Sequence, residues 1–299
     1  MGEKVLAALL ITATAFTSLL KAPRVSSQTD QYWDTDLPVR EEINERYQLS
    51  TDAPIKISFI NGSVEVETAN ITTAEVHVVR SARNQADLGL HKIIIEHTQT
   101  SLVVRGEQWD DRQPQGIEVR QHVRLKIPRQ AALSINNISG SVKVGDLDAQ
   151  LQIKDIGRSV MIESVGDRVE VRNVSRSVNM GSVDGQAVLS NVSGSVTVGR
   201  IRGHLDVSDV SGGLFAMIAL LDDRGLLVRR VSGSVELLFK EELNAYFNAR
   251  HLSGRVYFDV PNVSIQGDPQ ASDFGARIGR GGSPISVSNI SGIVRLRRT

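Results

Sequence analysis

The sequence predicts an all-β protein, a parallel two-sided β-solenoid with about 18 residues per coil and an N-terminal antiparallel β cap. First, a motif of the form Asn-Val-Ser-Gly-Ser-Val recurs, and its third residue falls every 18 residues at Ser139, Gly157, Ser175, Ser193 and Ser211. Second, each repeat alternates apolar and polar residues with the period of two that strands have. Third, short polar turns containing Gly and Asp separate these runs.

A single coil can be followed from its first apolar residue, which is counted here as position 1. The apolar residues stand at positions 1, 3, 6, 10, 12 and 15: Leu133, Ile135, Ile138, Val142, Val144 and Leu147. The same positions are apolar in the coils that begin at Leu151, Val169 and Ala187. Each coil therefore consists of two halves of nine residues, and each half is a short strand followed by a turn.

Position 8 carries Gly in several coils, including Gly140, Gly194 and Gly212. We expect a positive φ or a close backbone approach there. Two other repeat architectures are not expected. A three-sided hexapeptide helix needs apolar residues at positions 7 and 13, which are mostly Ser and Gly here. A calcium-binding nonapeptide helix needs the run G-G-x-G-x-D, which the chain lacks.

The 299 residues divide into four predicted segments. Residues 1–27 have the pattern of an export signal, because Lys4 precedes an apolar run over 5–20. An uncleaved membrane anchor is the competing interpretation, although this run is shorter than the span of about 20 residues that a bilayer requires. Residues 28–53 are polar and aperiodic, which is typical of a linker.

Residues 54–132 are predicted to contain a first coil followed by the cap. The interval 55–66 fits the coil pattern, whereas the repeat is absent from 67–132. Antiparallel strands there would cover the apolar end of the stack and its edge. The β-rich runs are 76–80, 93–96, 102–105 and 117–127.

Residues 133–299 are then predicted to hold the solenoid repeats. The interval 261–284 is rich in Gly and Pro, which indicates a longer excursion within a double-length coil. The last coil ends at 294–298 with several arginines. Charged residues protect an exposed strand from pairing with another chain, so we expect this strand to be an edge.

Composition excludes several classes of function. The formal net charge is zero and aromatic residues make up 4%, so nucleic-acid binding, which needs a basic domain, is not expected. The chain contains no cysteine, which excludes disulfides and zinc fingers. Neither a nucleophile elbow nor a phosphate loop is present. The sequence therefore predicts no catalytic residue, no cofactor-binding residue, no cofactor and no metal ligand.

Two groups of residues are candidates for a site. Position 5 carries Asn137, Asp155, Asn173, Asn191, Asp209 and, in the last coil, Asn289. These side chains suit cations or sugar hydroxyls, but neutral coils separate the carboxylates, so we interpret the row as a structural ladder at a corner. The loop with Trp109, Asp110 and Asp111 is the second candidate, where an exposed indole could stack on a sugar ring or pack at a hairpin tip.

The repeated Ser-Gly-Ser-Val turns and the closing segment 281–296 resemble the bacterial putative-adhesin family, a domain of unknown function expected to form β-solenoids in exported proteins. The resemblance extends over roughly 54–299 and is strongest over 131–299. It implies a location in the cell envelope. Its motifs are structural turns, so it transfers no catalytic residue to this chain.

These observations predict a noncatalytic exported protein, periplasmic or on the cell surface, that acts as an adhesin-like scaffold or binding module. The expected partner is an envelope component or a glycan, with membrane contact only through an uncleaved N-terminal segment. The alternative is a solenoid that self-assembles end to end. A β-helical polysaccharide lyase or hydrolase is a weaker alternative, because its carboxylates need projecting loops and four coils have turns of only three or four residues.

Overall fold

The computed structural model describes residues 37–107 and 118–298. The predicted signal 1–27, the start of the predicted linker and the candidates Trp109, Asp110 and Asp111 lie outside these residues. The described part contains 23 strands and one helix, so the all-β class is confirmed. The helix α1 (Gln85–Leu90) has six residues, and no helix of this part is long and apolar enough to cross a bilayer.

The strands in chain order are β1 (Val39–Gln48), β2 (Ile55–Ile60), β3 (Gly62–Ala69), β4 (Thr73–Ala82), β5 (Ile93–Thr98), β6 (Ser101–Gly106), β7 (Val119–Pro128), β8 (Leu133–Ile138), β9 (Val142–Val144), β10 (Leu151–Ile156), β11 (Val160–Val165), β12 (Val169–Val174), β13 (Val178–Val183), β14 (Ala187–Val192), β15 (Val196–Val210), β16 (Leu214–Val231), β17 (Val235–Phe239), β18 (Ala245–Arg250), β19 (Val256–Asp259), β20 (Val263–Gln266), β21 (Phe274–Ile278), β22 (Ser283–Ile290) and β23 (Val294–Arg298).

The strands form two ladders that share one apolar core. The first ladder runs β5, β6, β2, β8, β10, β12, β14, the second half of β15, the second half of β16, β22, β18, β21 and β20. The second ladder runs β1, β4, β7, β3, β9, β11, β13, the first half of β15, the first half of β16, β17, β23 and β19.

In the central repeats the strands pair in parallel with the offset of 18 residues that the sequence predicts. Val178 pairs with Val160 on one side and with Val196 on the other. All three side chains are at most 1% exposed. Most apolar residues of both ladders belong to one core cluster, and Ala82, Leu88 and Val119 form a second, small cluster at the cap. Each coil of the repeats therefore buries its side chains between its own two strands and against the coils above and below.

The backbone conformations at the corner differ in part from the expectation. A Cβ at Gly140 would lie 2.4 Å from the carbonyl oxygen of Gly62, so the predicted close approach at position 8 is confirmed. The positive φ values occur instead at position 5, where Asn137, Asp155 and Asn173 have φ of 54°, 58° and 56°. Asn and Asp adopt this left-handed conformation more readily than other residues with a Cβ, which explains their recurrence.

The N-terminal cap is mixed rather than purely antiparallel. β4 pairs antiparallel with β1 and β7, and β5 pairs antiparallel with β6. However, β6 and β7 also pair in parallel with β2 and β3. Because β2 and β3 pair with β8 and β9 on their other side, the first coil lies between the cap strands and the repeats. The cap thus extends each ladder by one parallel strand, β6 or β7. The antiparallel strands β5, β4 and β1 then form the ends of the ladders.

The predicted linker 28–53 is wrong over 39–48, because these residues form β1. Half of this strand is charged and it lacks a period of two, yet Ile43 and Tyr47 pack against the core. The buried Arg80 of β4 holds the region together: its guanidinium pairs with Glu41 at 2.5 Å and donates to the carbonyl oxygen of His91 at 2.8 Å. An edge strand with few buried side chains carries little periodic signal.

The C-terminal end contains a second inserted coil. β22 lies between β16 and β18, and β23 lies between β17 and β19. The expectation that 294–298 forms an edge is therefore wrong. The excursion over 261–284 instead supplies β20 and β21, which extend the first ladder with antiparallel pairing. The rings of Phe247, Phe258 and Phe274 meet at centroid distances of 5.1–6.4 Å near this end of the core.

Candidate functional site at the Asn–Ser corner

The corner between the two strands of each coil presents two rows of mostly polar side chains, which we call the Asn–Ser corner. The first row occupies position 5 and includes all six residues predicted from the sequence. In stacking order its members are Phe59, Asn137, Asp155, Asn173, Asn191, Asp209, Arg230, Asn289 and His251. All of them have positive φ, so the corner repeats one backbone conformation from coil to coil.

Side-chain hydrogen bonds join only part of the predicted ladder. The amide Nδ2 of Asn173 donates to Oδ1 of Asp155 at 2.6 Å, and Nδ2 of Asn191 donates to Oδ1 of Asn173 at 2.9 Å. The amide Nδ2 of Asn137 donates instead to Oδ1 of its chain neighbour Asn136 at 3.2 Å. A carboxylate has no N–H with which to continue such a chain, so the two Asp residues delimit the hydrogen-bonded stretch.

The stretch ends where Asp209 meets Arg230. The guanidinium donates Nε to Oδ1 at 2.5 Å and Nη2 to Oδ2 at 2.7 Å. These charged hydrogen bonds lower the pKa of Asp209 below its ordinary value of 3.8 and raise that of Arg230. Arg230 was missed by the sequence analysis, although it occupies position 5 of the coil with the motif Val231-Ser232-Gly233.

A second row consists of the serines at position 7. Ser175, Ser193, Ser211 and Ser232 are exposed, and within the described residues their hydroxyls make no side-chain hydrogen bond. The serines at position 9 differ, because they accept hydrogen bonds from the backbone of the next coil. For example, Oγ of Ser195 accepts from the backbone N–H of Gly213 at 3.3 Å. The hydroxyls of these four serines therefore remain available to a ligand, whereas that of Ser139 donates to Oδ1 of Asn61 at 3.0 Å.

An open groove of about 450 Å³ lies at the end of the hydrogen-bonded stretch. Its polar lining consists of Asn191, Ser193, Asp209, Ser211, Arg230 and Ser232. Oδ1 of Asn191 accepts no hydrogen bond from the described residues, because Asp209 in the next coil has no proton to donate. The groove thus combines hydroxyl, amide and carboxylate oxygens with one guanidinium, a set that matches the hydroxyl groups of a sugar.

The remaining candidates do not join this groove. Asn289 lies farther along the row, beyond Arg230, and makes no side-chain hydrogen bond with the described residues. Within 37–107 and 118–298, no three His, Asp or Glu side chains are grouped closely enough to hold a metal ion.

Comparisons with known proteins give structural similarities of low sequence identity. No protein-family model matches the chain, and no curated protein sequence matches it. A solved structure of a "putative adhesin" from Bacteroides fragilis is 12% identical, with coverage of 88% of this chain and 99% of its own, at a TM-score of 0.40. A "putative cell adhesion protein" from Clostridium sporogenes is 10% identical, with coverage of 87% and 100%, at a TM-score of 0.24.

A "putative adhesin" from Parabacteroides merdae is 7% identical, with coverage of 85% and 96%, at a TM-score of 0.27. All three are bacterial proteins whose names describe them as putative adhesins or a putative cell adhesion protein. The identities and TM-scores are too low to transfer a ligand or a site from them.

Proposed function

We propose that this protein is a noncatalytic, exported binding module of the bacterial cell envelope. It is an adhesin-like, two-sided β-solenoid whose Asn–Ser corner binds a glycan. The observation that carries the proposal is the groove beside Asp209, where the ladder ends and unpaired hydroxyl and amide oxygens converge. Sugar recognition uses such fixed polar groups on a rigid surface, because groups that are already ordered lose little entropy on binding.

The repeated corner supports the same proposal. Serine recurs at position 7 in most coils, and neighbouring coils stand at the spacing of a parallel ladder, which is about 4.8 Å. A periodic polymer can therefore contact several coils at once, and weak contacts add when they belong to one chain. A polysaccharide has this periodicity, whereas a compact metabolite contacts only one or two coils.

The test is a glycan array probed with the purified protein, followed by titration calorimetry with the best glycan. Ser211→Ala removes a hydroxyl from the groove and should weaken binding severalfold. Ser175→Ala changes the same position of a coil that does not line the groove, and should weaken binding less than Ser211→Ala does. Equal loss in the two variants, or no glycan bound by the unmodified protein, would contradict the proposed site.

Export is tested separately from binding. Lys4 and the apolar run over 5–20 support a signal that is cleaved before Gln28. N-terminal sequencing of the mature protein should therefore begin near Gln28. Recovery of an intact chain beginning with Met1 from the cytoplasm would contradict export, and recovery of that chain from the membrane would favour the anchor.

The alternatives predict different measurements. A polysaccharide lyase or hydrolase would release unsaturated products or reducing ends from the glycan that it binds, whereas a binding module releases none. A self-assembling solenoid would sediment as a concentration-dependent series of multiples, because end-to-end strand addition is heterologous and does not close. We expect neither result.

A further inference from the structure

A second pocket, of about 200 Å³, lies at the other turn of the coil and is separate from the Asn–Ser corner. We call it the basic pocket. Its lining consists of Arg200, Arg202, Ala219, Leu220, Lys240 and Glu241. Neighbouring coils supply these residues, because Arg202 pairs with Leu220 in the ladder and the backbone N–H of Lys240 donates to Ile218 at 3.3 Å. Three cations thus face one carboxylate and two apolar side chains.

The cations of the basic pocket lack anionic partners within the described residues. Neither Arg200, Arg202 nor Lys240 forms an ion pair or a side-chain hydrogen bond there. Nε of Arg200 is buried and has no hydrogen-bond partner. A buried donor without an acceptor destabilises the fold, and an anionic ligand that pairs with the rest of the Arg200 guanidinium would offset that cost.

Other arginines of the described residues show why the lack of an ion pair at Arg200 is distinctive. Arg80, Arg129 and Arg229 also have an unpartnered Nε. Each of them nevertheless forms an ion pair through a terminal nitrogen, with Glu41, Asp148 and Asp206 respectively. Arg200 has no such pair, so its charge and its donors remain available on the pocket side.

The outer face of the second ladder carries a polar strip close in sequence to the basic pocket. It consists of Asn179 and Thr197, which pair with each other in neighbouring coils. Gly199 precedes Arg200, and a Cβ at Gly199 would lie 2.5 Å from the carbonyl oxygen of Gly181, so the two backbones stack closely there. The next rungs on either side carry larger apolar side chains, which are Met161 and Phe215.

We propose that the basic pocket binds a carboxylate-bearing sugar, a hexuronic acid residue within an acidic polysaccharide. The guanidinium groups of Arg200 and Arg202 suit the two oxygens of a carboxylate. The apolar face of the sugar ring lies against Leu220, which is 61% exposed. Glu241 accepts hydrogen bonds from the ring hydroxyls, and the polar strip offers contacts to the next sugar of the chain.

The mixed lining favours a sugar over a simple anion. A phosphate or sulfate ion would use the cations but leave the apolar wall without a contact. A carboxylated ring uses both, because its charge is confined to one end and its opposite end is neutral. This inference concerns a site apart from the Asn–Ser corner, so it does not depend on the groove beside Asp209.

The test is calorimetric titration of the purified protein with a galacturonate tetrasaccharide, and with the neutral tetrasaccharide of glucose, inorganic phosphate and phosphatidylglycerol vesicles. Only the galacturonate should bind measurably, and its affinity should fall as salt screens the cations. Arg200→Gln should weaken binding at least tenfold. The control Arg277→Gln with Arg280→Gln changes two exposed arginines at the C-terminal end and should leave binding unchanged.

Several results would overturn the inference: no binding of galacturonate, equal affinity for phosphate or vesicles, or unchanged affinity after Arg200→Gln. The thermal midpoint of that variant should not fall, because the removed Nε has no partner. If Arg200→Gln fails to fold, the exposed Lys240→Gln decides, with a severalfold loss expected and an unchanged affinity contradicting the site. Loss of galacturonate binding in these variants with retained binding at the Asn–Ser corner would separate the two sites.

Discussion

Val294 pairs in parallel with Val235, although the chain completes another coil, β18 and β19, between the two residues. On its other side Val294 pairs with Val256 of that intervening coil. The last coil of the sequence therefore lies between two coils that both precede it in the chain. Its apolar residues fill the gap between two coils that would otherwise expose an open ladder and an open core.

Substitution at Val294 tests this insertion. Val294 is 1% exposed and Ile293, its neighbour in the chain, is 43% exposed. Val294→Asp should lower the free energy of unfolding by several kcal/mol, because it buries an unpaired carboxylate. Ile293→Asp should cost less than about 0.5 kcal/mol. Urea unfolding measures both, and similar losses in the two variants would place β23 at the surface.

A second prediction concerns the 18-residue register in the centre of the stack. Val178→Asp should cost several kcal/mol, because this side chain lies in the core between Val160 and Val196. Asn179→Asp, one residue later and exposed, should cost less than about 0.5 kcal/mol. Denaturant melts of the two variants compare them directly. A reversed order of stability would show that the strand presents its other face to the core.

A third prediction separates backbone strain from hydrogen bonding at the corner. Asn173 has φ of 56° and bonds to the residues above and below it. Ala and Gly both lose these bonds, but only Ala is strained in the left-handed region. Asn173→Gly should therefore be more stable than Asn173→Ala by about 1 kcal/mol. Asn179→Ala is the control outside the corner, and an Ala variant as stable as the Gly variant would contradict the strain.

A fourth prediction concerns pH and the pair of Asp209 with Arg230. Hydrogen bonding lowers the pKa of Asp209 from its ordinary 3.8, so the pair stabilises the fold above that pH and loses its effect as the pH falls through the lowered pKa. Asp209→Asn keeps a residue suited to positive φ but removes the charge. The variant should be less stable at pH 7, by a small amount because the side chains are largely exposed.

That stability difference between the two proteins should shrink as the pH is lowered to 3 and below, as measured by urea unfolding at each pH. High salt at pH 7 should also reduce it. A difference that stays constant from pH 7 to 2 would show that the charge of Asp209 contributes nothing to the fold.

Local patterns in the chain explain which parts could be foreseen. The inward residues of the repeats, such as Leu151 and Val160, were predictable because alternation with a period of two reports strand geometry directly. The strand β1 was not, since only Ile43 and Tyr47 of its residues pack against the main core and Val39 against the small cluster of the cap. At the corner, the Asn and Asp residues could be predicted from their regular spacing. Arg230 could not, because it is neither Asn nor Asp although it occupies the same position of its coil.

The sequence by itself determined the length of the coil, the residues that face the core and the recurrence of the corner, because each depends on spacing within a few dozen residues. Only the tertiary structure decided the stacking order. The coil of β2 and β3 lies between the cap strands and the repeats, and the coil of β22 and β23 lies between the repeats and the coil of β18 and β19. Stacking order depends on which ladder edges remain unpaired after distant segments meet, and no local periodicity records that. The basic pocket arises in the same way, because Arg200 and Lys240 become neighbours only when their coils stack.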